Sequence, residues 1–178
     1  MIELEQFIPF IGTTASHPDL VSFIGQSGLK SLQKNMRADG GRIYVTNKEL
    51  GVDRLYFKRM GQLRPDYFER FIFNSVFFYS ANDIGYARFS GSLPYGISLD
   101  DDRLTIIKKV SQPPSFVRYY DDDTIVAMDR WDFKRYSLAI NYHEADLSIR
   151  SGQITFPWPQ RSKLLSPDYE PFTILGSK

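Results

Sequence analysis

Two kinds of apolar spacing alternate along this chain. In SHPDLVSFIGQSGLK, Leu20, Val21, Phe23 and Ile24 recur at helical intervals. Ser16 or His17 stands at the start, Pro18 suits the first turn and Gly28 the stop, so the spacing predicts a short helix. MRADGGR reads as a turn, and RIYVT and GVDRLYFKR after it read as strands. FERFIFNSVFFYS is the longest apolar run, and its Phe-rich content favours a central strand over a helix.

A second cycle then begins. IGYARFSG reads as a strand and SLPYG as a turn. LDDDRLTIIKKVSQPP reads as a helix: acids open it and lysines close it, both favoured by the helix dipole, and two prolines stop it. DTIVAMDRW, RYSLAINY and SGQITFPW read as strands, with HEAD and RSG as turns. From Pro157 onward proline punctuates the chain, and FTIL is an apolar segment able to dock.

The two cycles are alike, each a helix, a loop and about three strands. Aligning VDRLYF with LAINY pairs Leu55 with Ile140 and Phe57 with Tyr142, with an insertion at Met60 to Tyr67 in the first copy. One helix and three strands cannot bury their own apolar face, but two such units side by side can. The expected fold is α+β: two related helix-plus-antiparallel-strand units packed into one compact domain over 1–178. The halves are expected at about 10–89 and 90–160, with a C-terminal tail at 161–178.

Composition narrows the classes of function. The 14 Phe, 11 Tyr and 2 Trp suit a sheet-rich core. A net charge of +1 gives no global field toward nucleic acid or membrane. With no cysteine, disulfides and thiol chemistry are excluded. The start MIELEQFIPF lacks a signal pattern, and no apolar run reaches the roughly 20 residues that span a bilayer. A cytoplasmic protein is expected.

The candidate chemistry lies in two aspartate triplets. Asp100, Asp101 and Asp102 read as a helix cap and an acidic first turn. Asp121, Asp122 and Asp123, in YYDDDTIVAMDRWD, read either as a solvated loop or as partner contacts. Neither triplet has the alternating acids, central Gly and terminal Glu of a calcium loop. His17 and His143 stand singly, with no HExxH or GxSxG, and GQSGLKS lacks phosphate-loop spacing. The basic cluster Arg54, Lys58, Arg59, Arg64 and Arg70 is broken by acids and reads as a salt-bridged surface. Trp131, between Arg130 and Asp132, reads either as core or as an interface anchor. No cofactor or metal ligand is expected.

The run F-x-G-x-L-P-x-G-I, a polar helix, a Pro turn, D-x-W and an alternating strand resemble small bacterial proteins encoded beside toxin genes. The matching residues are Phe89, Gly91, Leu93, Pro94, Gly96, Ile97, Pro113, Asp129, Trp131 and Tyr142. FIPFIGTTASHPDLVSFIG and KELGVDRLYF are similar to the first half of the same family, so the likeness spans most of the chain. Where relatives usually carry glycine before the proline, this chain has Gln112. The unit also resembles the repeat of β-lactamase-inhibitor-protein-like domains. The resemblance implies an immunity protein of the contact-dependent growth inhibition or polymorphic-toxin type, a non-enzyme that binds one cognate toxin in the cytosol. No nucleic acid or membrane contact is implied.

From Asp100 to Asp146 there are ten acids against seven Lys or Arg. Many such toxins are nucleases with basic channels, which acidic loops can occupy as phosphate mimics. The expected toxin contacts are Asp121, Asp122, Asp123, Asp129, Trp131 and Asp132. The alternatives are a carboxylate-dependent hydrolase whose acids meet only in the fold, or a non-catalytic adaptor.

Overall fold

Strands from both halves of the chain join one antiparallel sheet. The structure, a computed structural model, describes residues 2–33, 36, 39–58, 68–80, 85–120 and 124–159. The first half supplies helix α1 (Pro18–Gln26) and strands β1 (Arg42–Asn47), β2 (Val52–Lys58) and β3 (Phe71–Tyr79). The second supplies helix α2 (Arg103–Val110) and strands β4 (Phe116–Tyr119), β5 (Val126–Asp132), β6 (Ser137–Tyr142) and β7 (Ile149–Thr155). The order is β1-β2-β3-β7-β6-β5-β4, so the halves meet where β3 pairs with β7, and β1 and β4 form the edges. The fold is thus mixed α+β and mostly sheet.

Cross-strand neighbours share a face. On the inner face Val76, Ile154, Leu138 and Trp131 follow one another across β3, β7, β6 and β5. Leu20 and Ile24 of α1, Ile106 and Val110 of α2, and Leu4 and Phe7 of a 3₁₀ segment (Leu4–Phe10) join them in one apolar cluster. β2 and β3 are buried on both faces, which is why their sequences run almost continuously apolar. Among the described residues no helix is long and apolar enough to cross a membrane.

Each helix is set by local chemistry. Pro18 opens α1 at a position where its missing N–H costs nothing. Asp102 caps α2 by accepting from the Thr105 N–H at 2.7 Å. Lys109 at the other end donates to the Gly96 carbonyl at 2.8 Å.

Four expectations are corrected. Residues 85–90 of IGYARFSG form no strand. They cross the end of the β1–β2 hairpin, where Ala87 N–H donates to the Lys48 carbonyl at 2.8 Å and Phe89 N–H to the Tyr79 carbonyl at 3.0 Å. RSG is no turn: Arg150 to Gly152 lie inside β7, and Gly152 pairs with both Phe78 and Ile140. FVRY is a strand that the apolar pattern did not announce, because as an edge it is largely exposed. Lastly, Leu55 lies beside Ser75 on the outer face, whereas Ile140 lies beside Asp129 on the inner one. Pairing Leu55 with Ile140 therefore matches an outer-face residue with an inner-face one. FTIL and Met60 to Tyr67 lie outside the described residues.

The glycine motif between the halves has a steric cause. A Cβ on Gly91 would sit 2.0 Å from the Ile2 carbonyl oxygen, because Ser92 N–H donates to that carbonyl at 3.1 Å. Phe89, Leu93 and Ile97 are buried around it, and Gly96 turns the chain at φ 64.

Candidate partner-binding surface

Asp129 and Trp131 have inner-face positions on β5 and no exposed surface. Arg103, projecting from α2, grips Asp129 through Nε at 2.7 Å and a terminal nitrogen at 3.0 Å, and the Tyr142 hydroxyl donates to it at 3.0 Å. The hydrogen bond to Asp129 raises the Arg103 pKa, and burial first, then Asp129, pushes the Tyr142 phenol up. Trp131 donates its indole N–H to the Gln112 carbonyl at 3.0 Å. That bond uses only the backbone carbonyl of Gln112, so it does not call on the side chain there; the left-handed turn falls one residue earlier, at Ser111. Neither Asp129 nor Trp131 presents surface to a partner, which corrects their assignment as contacts. Their tasks are to hold α2 and the proline turn onto the sheet.

Asp132 points to the outer face and is half-buried. Arg130 contacts it at 3.1 Å, the Ser137 hydroxyl donates to it at 2.6 Å, and its own N–H donates to the Ser115 hydroxyl at 3.1 Å. Asp121, Asp122 and Asp123 lie outside the described residues. The chain on either side of them is closed by Tyr120 N–H donating to the Ile125 carbonyl at 2.9 Å, so the triplet connects β4 to β5.

The outer face of the same strand pair carries, at the end away from Tyr120 and Ile125, an arrangement the sequence reading missed. The Arg130 guanidinium lies 4.8 Å from the centre of the Phe116 ring and 5.1 Å from that of Trp158. Trp158 is brought there by its backbone N–H, which donates to the Ser137 hydroxyl at 2.8 Å. Phe116 is 43% exposed, Trp158 37% and Tyr119, on the same edge strand, 45%. Arg130 is fixed twice, between two rings and against Asp132. Reading SFVRYY as a strand would have placed Phe116 opposite Arg130, but Trp158 arrives only through tertiary structure.

A second acidic arrangement joins distant segments. Asp100, Asp101, Asp102, His143 and Asp146 line a cleft of about 410 Å³. Arg88 pairs with Asp100 at 2.7 Å and Lys109 with Asp101 at 2.6 Å. Asp146 accepts from the Ser148 hydroxyl and N–H at 2.7 and 2.9 Å, which lowers its pKa. Asp102 is lowered too, chiefly by the Thr105 N–H. Among the described residues no group of three or more His, Asp or Glu has the geometry to hold a metal ion. The expected basic surface is also altered, because Arg54 is fully buried.

Compared with protein families, with curated proteins and with solved structures, the chain matches none.

Proposed function

We propose that this chain is an immunity protein that neutralises a cognate toxin in the cytosol by binding it, without catalysis. The observation that carries the reading is the outer-face group of Phe116, Arg130 and Trp158 on the strand pair that Asp121, Asp122 and Asp123 connect. Aromatic residues and arginine dominate binding energy at protein interfaces, and a fixed arginine loses little entropy on docking. The acids of the β4–β5 connection, which leaves the other end of this strand pair, would steer a basic partner toward this edge of the sheet. Asp132 serves there through Arg130, as a positioning residue.

In this reading the two halves are related units. Each contributes a helix and a contiguous block of strands, and the blocks meet at β3 and β7. The frame that matches their faces sets Val52 with Leu138 and Tyr56 with Tyr142, both tyrosines being buried on the inner face.

The cleft of Asp100, Asp101, Asp102, His143 and Asp146 favours the hydrolase alternative, since it is a concave site lined by carboxylates. Against it, each of these carboxylates already serves a cap, an ion pair or a turn. Co-purification with the product of the adjacent gene tests the immunity reading. Binding below micromolar at moderate salt supports it, and no binding rejects it.

A further inference from the structure

Arg54 is the least satisfied charge on the inner face. It has no exposed surface, yet no carboxylate among the described residues contacts it. One terminal nitrogen donates to the Tyr56 hydroxyl at 3.3 Å, the other to the Lys30 carbonyl, and Nε has no partner. The neighbouring Asp53 is on the opposite face, where it accepts from Tyr79, Tyr86 and the Asn47 N–H. Burial lowers the Arg54 pKa, and Tyr56 and then the Asp53 carboxylate, which acts from the other face without contact, oppose that shift without cancelling it. A buried guanidinium left this way is costly, and an unsatisfied polar group of this kind calls for a reason.

A pocket lies beside it. Its volume is about 270 Å³, and its wall includes Val21, Ile24, Leu32 and Phe68, with Ser16, Ser31 and Tyr56 as polar members. Arg54 stands directly behind that wall: it touches the hydroxyl of Tyr56 and the carbonyl that precedes Ser31. Tyr56 accepts from Arg54, so its own proton is left to donate. The pocket thus has a largely apolar wall that includes Tyr56, whose hydroxyl is backed by a cation that no carboxylate among the described residues contacts.

We propose that this pocket binds a small monocarboxylic acid, with its apolar part against Val21, Ile24, Leu32 and Phe68 and its carboxylate at Tyr56 and Arg54. By proportion with benzene in a cavity of roughly 150 Å³, the space takes roughly ten non-hydrogen atoms. Octanoate and benzoate are of that size. The bound carboxylate would bring to this face a counter-charge that Arg54 lacks in contact among the described residues. This site is independent of the toxin-binding reading.

The test is thermal melting of the full chain with octanoate and benzoate, with octanol and benzyl alcohol as uncharged counterparts. The acids should raise the melting temperature by about 3 °C at a tenfold excess over Kd, and the alcohols should not. Arg54→Met and Tyr56→Phe should each lose that rise. Arg54→Met removes an unpaired buried charge and should melt no lower than the wild type; should it fail to fold, Tyr56→Phe, which keeps the ring, decides. The inference is overturned if neither acid raises the wild-type melting temperature. It is equally overturned if the variants respond like the wild type, or if the alcohols act as well as the acids.

Discussion

Asp129 shows how one residue can carry a sequence signature for a reason other than the one it suggests. Its neighbours in MDRWD look like a charged surface strip, but strand alternation sends Asp129 and Trp131 inward and Arg130 and Asp132 outward. A carboxylate is tolerated inside because Arg103 arrives from α2 with two donors. Asp129→Asn should destabilise the fold by about 3 kcal/mol, since it leaves a guanidinium facing a neutral group. A cycle with Arg103→Met should return a coupling of about 2 kcal/mol, discounted because the Arg103 side chain is 28% exposed. Additive denaturation energies for the two variants would contradict the pairing. Asp102 gives a residue-scale pH dependence. Hydrogen bonds from Thr105 hold its folded pKa below the ordinary 3.8, and donors from Ser148 do the same for Asp146. The stability these groups contribute is therefore complete above that value and is lost as pH falls through their folded values. Asn caps helices well but does not titrate. Asp102→Asn with Asp146→Asn should thus lose less melting temperature than wild type between about pH 5 and about pH 2. Equal losses would show that other groups set the acid limit.

The elements that were legible in the sequence are those with a strong burial pattern. Both helices are legible, from Pro18 at one start and the acids before the other, though only Asp102 caps α2, and Asp100 and Asp101 stand ahead of it instead of forming an acidic first turn. β3 was announced by nine residues that lie almost wholly in the interior. β4 was missed for the converse reason: its four residues are mostly exposed, so no alternation marks them. RSG in β7 looked like a turn because Gly152 was read as a breaker. The structure gives Gly152 a packing role instead. A Cβ there would lie 2.3 Å from Cζ of Phe78 and 2.7 Å from the Ala139 carbonyl oxygen, so the ring of Phe78 fills the place of a side chain. Gly152→Val should lower stability by about 2–3 kcal/mol, read from the denaturant midpoint. An unchanged midpoint would mean that β7 and β3 can shift apart at little cost.

At the scale of the whole molecule, the sheet has an inner face built for packing and an outer face that is buried at β2 and β3 but exposes Phe116, Tyr119 and Trp158 toward its β4 edge. The inner face keeps its tyrosines as polar-tipped core residues. Burial is the chief cause that raises the phenol pKa of Tyr56 and Tyr142, and of Tyr79 and Tyr136 elsewhere. Raised folded values mean stability that is complete below the ordinary 10 and is lost as pH rises above it. These four phenols should therefore ionise only as the chain unfolds, with phenolate absorbance and loss of near-ultraviolet dichroism rising together. All 11 tyrosines ionising near pH 10 with the fold intact would contradict that burial. The outer face could not be read from sequence, because it assembles Phe116, Arg130 and Trp158 from three separated segments. Its role is tested most directly by calorimetric titration of the adjacent gene's product into wild type and into Phe116→Ser with Trp158→Ser, both confirmed folded. Hot-spot residues typically carry about 2 kcal/mol or more, so the double variant should bind at least roughly 100-fold more weakly, while wild type binds below micromolar. Equal affinity for the two proteins would place the toxin on some other surface and contradict the account.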